Sequence, residues 1–131
     1  MINNKKYIDK NDLLRELISK QLKNVVPPSK KLQYSDLKRI CKYIDRSIFL
    51  DEHADSKNCC LWNGYITNEN NSNKGTYVNF FYKNRKMALH RLLYINFVGE
   101  LLSNEYLKFK CENKGKCCNI NHLEKFKTFK K

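Results

Sequence analysis

Three cysteines and a histidine fall within the thirteen residues CENKGKCCNINHL, from Cys111 to Leu123. No other stretch constrains the fold so strongly, because thiols and an imidazole at this density either share a metal ion or crowd as free groups. Cys111, Cys117 and His122 have the spacing C-x5-C-x4-H, which lets one knuckle place two sulfurs and a nitrogen around a tetrahedral ion. These donors suit zinc better than magnesium or calcium. The adjacent pair Cys59 and Cys60 supplies a fourth ligand from a distant segment, and the residues alone leave the choice between them open. Cys118 could compete with Cys117, but neighbouring cysteines rarely both reach one ion without strain. Four protein ligands leave no position for water, so one structural Zn2+ is expected. Cys41 reads as helix core and His53, in DEHADS, as a loop histidine.

A chain of 131 residues can bury only a modest core, so a metal staple would help to hold it. Lys and Arg outnumber Asp and Glu by 26 to 13, and the formal charge of +13 is spread along the chain. That balance predicts a polyanionic partner, with nucleic acid ahead of acidic protein or membrane. The bland alternative is a Lys- and Asn-rich protein of an A+T-biased genome, such as that of a large DNA virus, whose charge only keeps it dispersed. The N-terminus MINNKKYIDKNDLL has no apolar signal-like region, and no run of about eighteen apolar residues occurs. An intracellular protein is therefore expected, in host cytoplasm or nucleus if viral. In a reducing compartment six cysteines read as ligands or buried thiols rather than disulfides.

The periodicities predict a helical region over residues 1–50 and a zinc-binding region over 51–131. Leu13, Leu14, Leu17, Ile18 and Leu22 form an apolar stripe behind Asn11, the expected N-cap of a first helix. Pro27 and Pro28 end it in a linker or sharp turn. A second helix is expected from Ser35, with Asp36 in its first turn and Leu37, Ile40, Cys41, Ile44 and Ile48 on one face. CCLWNGYI starts a strand-like run, NENNSNKG has loop composition, and TYVNFFY, KNRK and MALHR read as strand, turn and strand. Leu89 to Val98 is helical in spacing and stops at Gly99, while YLKFK alternates as a short strand into Cys111. The expected fold class is α+β, and no internal repeat is present.

In order, CCLWNGYI, a basic hairpin, ALHRLLYINFVGEL and CENKGKCCNINHLEKF resemble the zinc-bound HNH endonucleases of the His-Me finger superfamily, related to the His-Cys box homing endonucleases. The likeness covers Cys59 to Glu124, about half the chain. It implies a β-hairpin and a helix around the zinc, with DNA against the basic surface. It places Cys59, three residues before Trp62, on the fourth zinc ligand in preference to Cys60. Cys111, Cys117 and His122 fall on the other ligands, and Asn119 on the asparagine of C-x-N-P-x-H-L, with Ile120 where proline is usual.

The resemblance also implies a water-activating histidine two positions before Cys111, where this chain has Phe109. Phenylalanine cannot accept a proton, and loss of a general base costs about a hundred- to ten-thousand-fold in rate. The family's second, leaving-group metal needs an Asn or His about nine residues after the zinc histidine. That count reaches Lys131, and the tail EKFKTFKK offers neither. No catalytic residue is therefore assigned. His90, on the family's A-H-R histidine, is the one candidate for a replacement base.

The expected function is non-catalytic nucleic-acid binding, DNA favoured, in packaging or transcription. Candidate phosphate contacts are Lys83, Arg85, Lys86, Arg91, Lys108, Lys110, Lys125, Lys127, Lys130 and Lys131. Aromatics interleave with them at Tyr82, Phe109, Phe126 and Phe129, where stacking on unpaired bases competes with core packing, the default for all but Phe129. Two other classes compete: a protein-interaction or homo-oligomerisation module docking through Asn11 to Phe49, and an active metal-dependent endonuclease using His90.

Overall fold

The computed structural model describes residues 9–50, 58–69 and 75–127. Among them the chain forms three α-helices and two antiparallel two-stranded sheets, a small mixed α and β protein. Helix α1 spans Lys10–Lys20. Its cap is Asp9 rather than Asn11, because the Asp9 carboxylate accepts the Asn11 backbone N–H at 2.9 Å. Leu13 and Leu17, one turn apart, enter the core, whereas Ile18 on the flank is 41% exposed.

Helix α2 spans Tyr34–Lys42, one residue ahead of the expected start. The Asp36 carboxylate accepts the Gln33 N–H at 2.8 Å, satisfying a donor ahead of the first turn. Leu37, Ile40 and Cys41 are buried as the pattern predicts. Ile44 and Ile48 are also buried, but on the irregular segment after the helix. Lys10 Nζ donates to the Cys41 and Ile44 carbonyls, so a cation from α1 satisfies the acceptor-rich end of α2.

Strands β1, Asn79–Tyr82, and β2, Arg85–Ala88, form a hairpin whose turn is only Lys83 and Asn84. Both have positive φ, 48° and 67°, as the two-residue turn matched to strand twist requires. Arg85 and Lys86, expected in the turn, therefore belong to β2. Helix α3, Leu89–Phe97, follows directly and buries Leu89, Leu92, Leu93 and Phe97. Strand β3, Glu105–Phe109, pairs with β4, Leu123–Lys127. Strand β4 has no clear signature in the sequence, since only Leu123 is buried and charges interrupt the alternation.

CCLWNGYI does not form the expected strand. Its N–H groups go to different segments, Trp62 to the Lys116 carbonyl and Asn63 to Tyr43, so single bridges such as Leu61 to Cys117 replace a ladder.

One core joins the helices and the first hairpin. Leu13, Leu17, Leu37 and Ile40 pack in the same cluster as Trp62, Phe80, Leu92 and Leu93. Residues on both sides of position 50 thus share it, while the expected boundary itself adjoins residues 51–57, outside the described residues together with His53. Asn96, fully buried on α3, organises the linker after the prolines. Its amide oxygen accepts from Leu32 N–H at 2.9 Å and Gln21 Nε2 at 2.7 Å, and its nitrogen donates to the Lys30 carbonyl at 3.0 Å. A buried amide with every bond made is tolerated in such a core, and here it ties α1, the linker and α3 together.

Candidate metal centre

Two segments far apart in sequence are laced together before any metal is considered. Cys118 N–H donates to the Cys60 carbonyl at 2.6 Å and Trp62 N–H to Lys116 at 3.0 Å, aligning the Cys59 segment with the knuckle. Lys110 N–H donates to the His122 carbonyl at 2.8 Å, closing the knuckle at the mouth of β3 and β4. Asn119 is fully buried; its side chain accepts Asn121 N–H at 2.9 Å and donates to the Asn58 carbonyl at 2.7 Å. It thereby fixes the residue next to Cys59 against the turn that carries His122. Ile120 uses the very group that a proline would lack, donating its N–H to the Ile48 carbonyl at 2.9 Å.

Cys59, Cys111, Cys117 and His122 are all buried, and their ligand atoms lie within 4.8 Å of one another. His122 Nδ1 is 3.6 Å from Cys59 Sγ and 3.5 Å from Cys117 Sγ. For a tetrahedral centre with sulfur at about 2.3 Å and nitrogen at about 2.0–2.1 Å, the sulfur-to-nitrogen edge is about 3.5–3.6 Å. Both sulfur-to-nitrogen distances match that edge, and the four side chains are compatible with one metal ion. Cys59, not Cys60, joins this group, since the Cys60 thiol donates to the Arg46 carbonyl at 3.2 Å. Cys118 lies outside the group and in the main core, so it does not compete with Cys117.

Burial pushes the Cys111 and Cys117 thiols up, and the neighbouring Cys59 sulfur adds to the rise of both. A bound dication reverses that cost, since thiolate is the ligating form. Cys60 is pushed up to about 12 and Cys41 to about 11, both chiefly by burial, as suits core thiols.

Phe109, at the end of β3, packs its ring against His90 with centroids 5.0 Å apart. Burial, then the adjacent Arg91, lowers the His90 pKa to about 4, so its imidazole is neutral near pH 7 and a weak base.

The expected phosphate contacts are spread over several surfaces. Arg85, Lys86 and Arg91 meet in one cleft of about 370 Å³, joined by Lys30, which the sequence reading missed. Only the anchoring of the linker to Asn96 brings Lys30 there, and no local pattern carries that information. Arg91 also donates to the Glu105 carbonyl at 3.3 Å. Lys83 donates to the Pro28 carbonyl at 3.0 Å. Tyr106, Lys108 and Phe126 share one face of the second sheet, with the Lys108 ammonium 4.9 Å from the Phe126 ring. Lys125 and Lys127 lie on the other face, opposite Leu107 and Glu105, and Lys125 pairs with Glu105 at 3.5 Å. Lys110 is exposed beside the knuckle. Phe129, Lys130 and Lys131 lie outside the described residues.

Fold and site together define a small mixed α and β protein with a buried three-cysteine, one-histidine cluster suited to a single metal ion. The chain is similar to an uncharacterized protein of Acanthamoeba polyphaga mimivirus, 64% identical over 120 residues that cover 92% of this chain and 33% of the mimivirus protein. It thus spans about one third of the length of that viral relative. No protein-family profile matches the chain. No solved structure matches it. No helix among the described residues is long and apolar enough to cross a membrane.

Proposed function

We propose that the chain is a non-catalytic nucleic-acid-binding protein on an HNH-like frame, held by one structural zinc, with DNA as the favoured partner. The observation that carries this reading is the pairing of the buried Cys59, Cys111, Cys117 and His122 cluster with Phe109, which falls at the place of the resembled family's water-activating histidine. The ligand chemistry favours zinc, because three thiolates and an imidazole disfavour hard cations. Phe109 puts an apolar ring where a nuclease needs a proton acceptor. What such a frame retains is its basic surface, in particular the cleft of Lys30, Arg85, Lys86 and Arg91. Phosphate neutralisation there supplies affinity without sequence preference.

The test is a gel shift of a short DNA duplex over a range of salt. For about five phosphate contacts, log K should fall against log salt with a slope of roughly −4 to −5. Replacing Arg85 and Arg91 by Ala should flatten the slope by about two contacts' worth, roughly 1.8. No shift at low salt, with a stable oligomer in solution, would instead favour docking through the N-terminal helices. Metal-dependent plasmid nicking that disappears in His90→Ala would overturn the non-catalytic reading, and the contact of His90 with Phe109 makes it the residue to change.

A further inference from the structure

A second cleft, of about 300 Å³, lies between the end of α2, the segment from Trp62 to Tyr65, and β1. Its size falls at the lower end of the range for small-ligand sites, roughly 300–1,000 Å³. Aromatic rings dominate its lining. The Trp62 indole packs on Tyr43 with centroids 5.0 Å apart. Gly64 leaves the indole edge open, since a Cβ there would come within 2.7 Å of Trp62 Nε1. At the rim, Tyr65 is 80% exposed and Phe81 55% exposed. Two large rings held in water beside a cleft offer stacking surface that the fold itself does not use.

The polar groups narrow the ligand class. Arg39 and Lys42 line the cleft and no carboxylate does. Asp36 is occupied by Arg39 at 3.0 Å. Arg39 is held further by the Phe81 carbonyl at 2.7 Å and lies over the Phe80 ring, its guanidinium carbon 4.2 Å from the centroid. Lys42 is the cation left to meet an anion. Asn79 donates an amide N–H to Thr67 Oγ1 at 3.0 Å, and its amide and the Trp62 indole bring acceptor and donor chemistry to the lining. A cationic ligand would be repelled by the two basic side chains. A purely apolar one would leave donor and acceptor without partners. A flat ring with a mixed donor and acceptor edge, attached to an anion, satisfies all of them.

We propose that this cleft binds an unpaired nucleobase of a single-stranded nucleic acid, stacked on Tyr65 and Phe81 with its phosphate on Lys42. The inference rests on the nucleic-acid reading above but uses a different surface from the Lys30, Arg85, Lys86 and Arg91 cleft. A duplex keeps its bases stacked internally, so only a single strand or a frayed end can enter.

Trp62 is the only tryptophan of the chain, so its emission reports directly on this cleft. The zinc-loaded full chain is titrated with a single-stranded deoxyadenylate octamer and, separately, with a duplex of equal length. The single strand is expected to quench Trp62 emission. Tyr65→Ala and Phe81→Ala should each weaken single-strand binding by about 5- to 150-fold, the range for loss of one base stack. Because both rings are exposed, the thermal melt and the duplex gel shift should stay unchanged in these variants. Single-strand binding that does not quench Trp62, or that survives the Tyr65→Ala, Phe81→Ala double variant at full affinity, overturns this site while leaving the duplex reading intact. Failure of both nucleic acids to bind overturns both.

Discussion

Gly115 is the residue on which the knuckle's geometry turns most sharply. Its φ is +82°, and a Cβ built there would lie 1.8 Å from the Thr76 carbonyl oxygen. Backbone strain and a backbone clash coincide, so no side-chain adjustment relieves them. Gly115→Ala is expected to cost more than about 3 kcal/mol and to lower zinc content at the same time, measurable by denaturant unfolding and metal analysis on one sample. Unchanged stability would contradict the close approach of the knuckle to the Thr76 carbonyl. At this scale the sequence was legible where chemistry is local: Cys111, Cys117 and His122 fall in one short run and are found together. The role of Gly115 was not legible, because it depends on a carbonyl thirty-nine residues away in sequence. Asn119 was visible as a motif position, yet its bond to the Asn58 carbonyl could be seen only once the two segments were placed.

Among the elements, helices were read more reliably than strands, for a physical reason. The apolar faces of α1, α2 and α3 repeat within each segment, whereas β4 depends on its pairing with β3 and carries little pattern of its own. CCLWNGYI misled because burial by the core and the cluster mimics the burial of a strand, though its N–H groups find separate partners. The second sheet also contains a titratable tie. Glu105 is buried to 5% exposure, accepts the Leu102 N–H at 2.7 Å and pairs with Lys125. The Leu102 N–H, ahead of the Lys125 charge, holds its carboxyl below the ordinary glutamate value of 4.5. A depressed carboxylate pKa adds stability that is complete above the unfolded value and is lost as pH falls through the folded one. Glu105→Gln should therefore melt below wild type at pH 7, with the gap narrowing under acid through the region below about 4.5. Thermal melts of both proteins across that range test this, and a gap independent of pH would contradict it.

For the whole molecule, the metal would compensate for what a small core cannot supply. A structural zinc in a short knuckle carries an apparent binding free energy on the order of 10 kcal/mol, comparable to the net stability of a small domain. The cluster lies where the Cys59 segment, the knuckle and the second sheet meet, so its loss should be felt beyond the loop itself. Around that staple the positive charge is divided among a cleft on the hairpin and α3 and two faces of the second sheet. Composition alone could announce the excess of charge but not its division. On the proposed reading one zinc ion joins Cys59, Cys111, Cys117 and His122. X-ray absorption at the zinc edge of the purified protein tests it most directly. The expected result is about one zinc per chain, with three sulfurs at about 2.3 Å and one nitrogen at about 2.0–2.1 Å. Protein without zinc, or zinc surrounded mainly by oxygen and nitrogen, would contradict it.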